Sequence, residues 1–200
     1  MIAIIDYGVG NLFSLESSFK AIGQQTVVTG DKEIIKQADK LIFPGVGAFG
    51  DASAKLVSSG LDEVIKQQVA NGKALLGVCL GMQMLFDESY EYGVHKGLGL
   101  IKGKVIPMEL PKEYKIPQIG WNSLNYARQS PILKYIKEGD FVYFVHSYHA
   151  VECSDSLVAT TEYGKEITAI VQNGNVYGCQ FHPEKSGTVG LNILKAFAEL

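Results

Sequence analysis

The stretch KALLGVCLGMQML, residues 73–85, decides the fold. Residues 73–78 form a nearly continuous apolar run of strand length, which reads as a strand buried on both faces of a parallel sheet. A cysteine between two glycines follows, and MQMLFDE then carries a pattern that can start a helix. The form Gly-x-Cys-x-Gly fits a nucleophile elbow, a sharp strand-to-helix turn that holds its central side chain strained and exposed. Glycine is needed on both sides because a side chain there would collide with neighbouring strands and the helix. The start of the helix would favour a thiolate and offer unpaired backbone N–H groups to an oxyanion. A small buried cysteine at a glycine-flanked turn fits the same letters.

Before this stretch, MIAIID, QTVVTG and KLIFPG alternate with NLFSLESSFKAIG, DKEIIKQAD and LDEVIKQQVANG. Strand-length apolar runs separated by helical patterns predict βαβ units and a mostly parallel sheet. Leu61, Val64, Ile65 and Val69 recur at helical spacing, and Gly72 stands where a C-cap glycine would. After Gly99 the texture changes to strand-like runs with few helical patterns between them: LIKGKVIPM, IPQIGWNSLNY, DFVYFVHSYHAV, SLVATTEYG, EITAIVQNG and NVYGCQFHPE. QNGN at 172–175 predicts a hairpin with an Asn-Gly turn, and the second half is expected to add antiparallel strands to the sheet. TVGLNILKAFAEL reads as a closing helix. The expected architecture is α/β, with a mixed, mostly parallel central sheet flanked by helices. One domain over residues 1–200 is expected.

Composition narrows the class. A hydrophobic fraction of 46% with 20% charged residues describes a soluble globular protein, and a net charge of −3 offers no electrostatic footprint for nucleic acid or an anionic membrane. No basic leader and no apolar run of about 20 residues is evident, so a cytoplasmic location is expected. Cys79, Cys153 and Cys179 are odd in number and scattered, which argues for free thiols. His146 and His149 are three apart in a strand or loop and no cysteine pair has zinc spacing, so no metal and no cofactor are expected.

A nucleophilic thiol needs a base. In CQFHPEKSG, His182 ends a strand-like run and Glu184 lies two residues on, so both side chains would leave an extended segment on one face. Glu184 would then fix the tautomer and orientation of His182. A structural histidine at a strand end fits the tripeptide as well. FPGVGAFGD at 43–51 is a glycine-rich loop after a strand candidate, without the ending of a P-loop or the spacing of a dinucleotide site. In a parallel sheet it opens at the same end as the elbow, where its backbone N–H groups could complete an oxyanion hole.

PGVG, GVCLGMQ and HPE, in that order, resemble the class I (triad) glutamine amidotransferases, and the resemblance covers essentially the whole chain. It implies a flavodoxin-like three-layer fold and a glutaminase in which Cys79 attacks glutamine, His182 moves protons and Glu184 orients His182. It also implies oxyanion stabilisation by backbone N–H groups of Leu80 and of Gly45, Val46 and Gly47. Gln83, His146, Ser147 and Tyr148 match positions that hold the glutamine's amino and carboxylate ends. Within the family, DYGVGNL, IPQIGWN, FVHSYHA and CQFHPEKSG are similar to the glutaminases of histidine biosynthesis. Those form a heterodimer with a separate (β/α)8-barrel cyclase, which uses the ammonia to make imidazole glycerol phosphate and aminoimidazole carboxamide ribotide. Asn11, Trp121, Tyr143 and Lys185 are the candidates for that partner face. The glutaminase of pyridoxal phosphate synthase, another class I amidotransferase and a non-catalytic subunit of the same fold are the alternatives.

Overall fold

The computed structural model describes residues 1–200. The first half runs β1 (Ile2–Ile5), α1 (Leu12–Ala21), β2 (Thr26–Thr29), α2 (Lys32–Gln37), β3 (Lys40–Gly45), α3 (Phe49–Ser59), α4 (Leu61–Ala70), β4 (Ala74–Cys79) and α5 (Leu80–Gln83). The second half supplies β5 (Glu88–Ser89), β6 (His95–Lys96), β7 (Lys104–Pro107), β8 (Gln118–Ser123), β9 (Asn125–Tyr126), β10 (Phe141–His146) and β11 (Tyr148–Val151). It ends with β12 (Leu157–Glu162), β13 (Glu166–Asn173), β14 (Val176–Cys179) and α6 (Gly187–Ala198).

The central sheet has the order β2-β1-β3-β4-β14-β13-β12-β9. It is parallel from β2 to β14 and antiparallel beyond. Strand alternation splits the core in two. Ile2, Ile4, Ile42 and Leu76 face Leu15 and Phe19 of α1 and Ile193, Leu194 and Phe197 of α6. Ala3, Ile5, Leu41, Phe43 and Leu75 face Ile35, Leu56, Ile65 and Val69 of α2, α3 and α4. Each large apolar side chain so enclosed contributes about 1.5–3 kcal/mol, and both faces must be apolar because both carry helices. No helix is long and apolar enough to cross a membrane.

Local signals set two of the boundaries. Asp31 Oδ1 accepts from the N–H groups of Glu33 and Ile34 and starts α2. Gly60 takes a left-handed φ of 66° and separates α3 from α4, directly before the LDEVIKQQVANG pattern begins. The second half adds antiparallel strands β13, β12 and β9 to the central sheet, as expected, while β8 pairs with β10 in a two-stranded sheet and β5, β6, β7 and β11 form another. Three expectations need correction. The hairpin turn lies one residue later than QNGN suggests. Asn173 still pairs with Val176, and Gly174, with φ 56°, is the first central residue of a Gly-Asn turn.

The helix expected over MQMLFDE is a single turn, Leu80–Gln83. Met84, Leu85 and Phe86 are buried on every side, and their carbonyls accept from Leu98, Leu100, Ile101 and Gly99 instead of from a following helical turn. The anion-stabilising effect at this place therefore rests on the first N–H groups rather than on a long helix dipole. The third correction concerns the His182–Glu184 pair and follows with the site.

Candidate active site

β3, β4 and β14 lie side by side, with Gly45 paired to Cys79 and Val78 to Cys179. Their carboxyl ends are level, so the 45–47 loop, the elbow at Cys79 and the segment from Gln180 to Glu184 emerge together at one edge of the sheet. Ligands bind in open α/β sheets at such an edge.

Cys79 has φ 54° and ψ −111°, a strained conformation for a non-glycine residue. The glycines around it are demanded by contact. A Cβ on Gly81 would fall inside the Phe43 carbonyl, and one on Gly77 would lie 2.8 Å from the backbone N of Met82. A Cβ on Gly45 would lie 2.7 Å from the backbone N of Gly81. The one-turn helix thus crosses directly over β3 and β4 and presents Cys79 at the floor of a cleft of about 370 Å³.

His182 and Glu184 meet, but not as neighbours on one face of a strand. β14 stops at Cys179, and His182 opens a 3₁₀ turn at Pro183–Lys185. Pro183 fits its first position because it has no N–H to lose and its φ is preset. The turn folds Glu184 back so that its Oε1 lies 2.8 Å from His182 Nδ1. Asn11 donates from Nδ2 to the same oxygen at 3.1 Å. The His182 backbone is pinned on both sides: its N–H donates to the Tyr143 carbonyl at 3.0 Å, and its carbonyl accepts from Ser186 Oγ at 2.6 Å.

The electrostatics follow from this enclosure. Burial alone would lower the His182 pKa, but hydrogen bonds and charge from Cys79 and then Glu184 outweigh it and raise it to about 10. Because a carboxylate only accepts, Nδ1 carries the proton toward Glu184, and Nε2 is left for Cys79. His146, in contrast, is pushed down to about 4, chiefly by burial. Its Nδ1 donates to the Tyr148 carbonyl at 2.8 Å, which leaves Nε2 as an acceptor.

The remaining sequence candidates fall into two groups. Val46, Gly47, Leu80, Gln83, His146, Ser147 and Tyr148 line the same cleft as Cys79 and His182. Gly45 sits directly beneath them on the ladder. Asn11, Trp121, Tyr143 and Lys185 surround the 3₁₀ turn from outside: Asn11 through Glu184, Tyr143 through the backbone of His182, and Lys185 by following Glu184. Trp121 is opposite Tyr143 on β8 and β10, with the rings edge to face at 6.0 Å. The same sheet face exposes Ile119 and Phe141.

Three residues of the site were missed. Gln180, fully buried, donates to Cys79 Sγ at 3.8 Å. Glu91 lines the cleft and accepts the first N–H of α3, from Phe49, at 2.6 Å. Tyr7 donates to the Pro44 carbonyl at 2.9 Å just before the 45–47 loop. Only Gln180 carried a signal, since it stands two residues before His182 in the expected strand; Glu91 lies among acidic and aromatic residues that read as a solvated loop.

The family model for class-I glutamine amidotransferases matches residues 3–199. The chain belongs to the class-I glutamine amidotransferase family. Among relatives of this amidotransferase, imidazole glycerol phosphate synthase subunit HisH of Caldanaerobacter subterraneus is 52% identical over 201 residues, covering 100% of this chain and 98% of that protein. The subunit of the same name from Lactococcus lactis is 52% identical over 199 residues, covering 99% and 98%. Among solved structures, one described as a glutamine amidotransferase has a TM-score of 0.78 at 19% identity, covering 100% of this chain and 98% of the other. PurLQS from Thermotoga maritima gives 0.76 at 21%, covering 99% and 97%. At such identities these two speak for the amidotransferase fold.

Proposed function

We propose that the chain is the glutaminase subunit of an imidazole glycerol phosphate synthase, working in the cytoplasm in histidine biosynthesis. The observation that carries this reading is the meeting of Cys79, His182 and Glu184 at one cleft, in a chain about half identical to the subunits of that name over its full length.

The chemistry follows from the geometry. A proton held on His182 leaves Cys79 paired with an imidazolium, and the sulfur attacks the side-chain carboxamide carbon of glutamine. Negative charge develops on the amide oxygen, where the N–H of Leu80 and an N–H of the Gly45–Gly47 loop stabilise it. His182 gives its proton to the departing nitrogen, the carbonyl re-forms, and ammonia leaves a glutamyl thioester on Cys79. Water then attacks the thioester, with His182 taking its proton, and glutamate and the free sulfur are regenerated. Glu184 holds the imidazole in the tautomer that both steps need. Gln83, His146, Ser147 and Tyr148 bind the amino and carboxylate ends of glutamine. Glu91, a carboxylate on the cleft wall, joins them as a partner for the ammonium.

Ammonia loses its nucleophilicity once protonated in water, so its use calls for a docked acceptor. The partner is a cyclase of (β/α)8-barrel form in a heterodimer, seated on Asn11, Trp121, Tyr143 and Lys185. The apolar face carrying Ile119, Trp121 and Phe141 beside the His182 turn supports this seat. The test is to mix the chain with the cyclase, its ribonucleotide substrate and glutamine labelled at the amide nitrogen. Label should enter the imidazole product with the parent chain and not with Cys79→Ala. Normal glutamine turnover by Cys79→Ala would overturn the reading.

A further inference from the structure

Gln180 is a buried amide that the mechanism above does not use. The register that pairs Cys179 with Val78 sets it beside Cys79 on the neighbouring strand, and its N–H donates to the Ala169 carbonyl at 2.9 Å, which fixes its backbone. The side chain is fully enclosed, so each of its polar atoms requires a partner.

Its orientation can be derived from groups whose polarity is not in question. The Tyr148 carbonyl only accepts, so the Gln83 side-chain atom 3.1 Å from it is the amide nitrogen. That nitrogen also lies 3.0 Å from a side-chain atom of Gln180, which must then be the oxygen. The other end of the Gln180 amide, Nε2, is left 3.8 Å from Cys79 Sγ. A backbone carbonyl thus sets the polarity of two successive amides and aims an N–H at the sulfur. His182 also interacts with this thiol.

We infer that Gln180 is a positioning residue for the nucleophile: its Nε2–H group, aimed by Gln83 and the Tyr148 carbonyl, holds the Cys79 sulfur and favours its thiolate form. A hydrogen bond to an ionised acceptor is roughly twice as strong as one to a neutral acceptor. The same donor therefore stabilises thiolate over thiol and keeps the sulfur in one place between attack and thioester hydrolysis. The donor cannot turn away, because flipping the Gln180 amide would set its NH₂ against the Gln83 NH₂. This inference rests on the assignment of Cys79 as nucleophile.

The experiment is the pH dependence of Cys79 alkylation by iodoacetamide in the intact chain, followed by mass spectrometry of the peptide carrying Cys79. Gln180→Met keeps length and packing but removes the donor. It should raise the midpoint of the alkylation profile by about one pH unit and lower kcat/KM for glutamine about tenfold at neutral pH. Gln83→Met leaves the Gln180 amide unaimed and should shift the midpoint in the same direction by a smaller amount, although it does not touch the sulfur. It also serves if Gln180→Met fails to fold. Midpoints of folded variants that coincide with the parent overturn the role of Gln180. A shift with Gln180→Met alone overturns the orienting role of Gln83. Alkylation needs no turnover, so failure here is separable from failure of the glutaminase reading, which Cys79→Ala decides.

Discussion

Glu184 Oε1 sits 2.8 Å from Nδ1 of His182, enclosed by a 3₁₀ turn and shared with the amide of Asn11. A carboxylate in this place fixes the tautomer that leaves Nε2 for the sulfur. Glu184→Gln keeps the shape of the side chain but allows its amide to donate to Nδ1, which selects the wrong tautomer. Glutamine hydrolysis should show kcat reduced by about 10²-fold or more with KM nearly unchanged. Steady-state kinetics in the cyclase complex measure both, and an unchanged kcat would mean that Glu184 only supports the turn.

The elbow makes a prediction about folding. A Cβ on Gly81 would overlap the Phe43 carbonyl, which belongs to β3 and cannot retreat without breaking the ladder that pairs Phe43 with Gly77. Gly81→Ala should therefore cost about 3 kcal/mol or more and lower the thermal midpoint markedly. Gly174→Ala, at an open turn with nothing near its Cβ, should cost only the strain of φ 56°, so the two melting curves should differ clearly.

Tyr7 joins the first loop to the glycine-rich one. Its hydroxyl donates to the Pro44 carbonyl, and burial together with Cys79 holds its pKa well above the ordinary tyrosine value. Tyr7→Phe removes a net contribution of about 1 kcal/mol and leaves that carbonyl short of a donor. The 45–47 loop then loses a tie at the residue that precedes it. Glutaminase activity of the chain alone should change more than activity in a complex with the proposed cyclase; equal changes in both would remove Tyr7 from control of the loop.

Stability should fall on the acid side for a stated reason. Burial lowers His146 and His149 to about 4, from 6.5 when unfolded, with Lys165 and then His146 adding to the effect at His149. As pH drops from 6.5 toward 4 the unfolded chain binds protons that the folded chain refuses, so stability present above 6.5 is lost through that window. His182 behaves oppositely. Its pKa, raised to about 10 by Cys79 and Glu184 against burial, gives stability that is full below 6.5 and fades as pH rises through 10. Urea midpoints across this range should peak near neutrality, and His149→Leu should flatten the acid side.

The parts of the fold legible in the sequence were those written in short-range pattern. The alternation from β1 to β4 follows from apolar runs and helical spacing, and the glycines of the elbow announced their own contacts. What escaped depended on partners far along the chain. MQMLFDE has the letters of a helix, but its carbonyls are claimed by residues 98–101. Gln180 looks like an ordinary strand residue until the register with β4 places it against Cys79. Glu91 caps a helix that begins 42 positions earlier. His182 and Glu184 were correctly paired for a mistaken reason, since an extended segment and a 3₁₀ turn both bring residues two apart into reach.

The proposed partner face yields the last prediction. On β8 and β10, Ile119, Trp121 and Phe141 are exposed on one side, and Trp121 stands edge to face on Tyr143, whose carbonyl holds the His182 N–H. A large aromatic at the centre of an apolar face is the kind of residue that dominates binding energy. With the indole half exposed, Trp121→Ala should leave the stability of the free chain within about 0.5 kcal/mol. Cyclase affinity should weaken by about 30-fold, the equivalent of roughly 2 kcal/mol. Titration calorimetry reads the affinity and a urea melt reads the stability. Loss of affinity with an unchanged melt places the cyclase on this face, and full affinity sends the search to another surface.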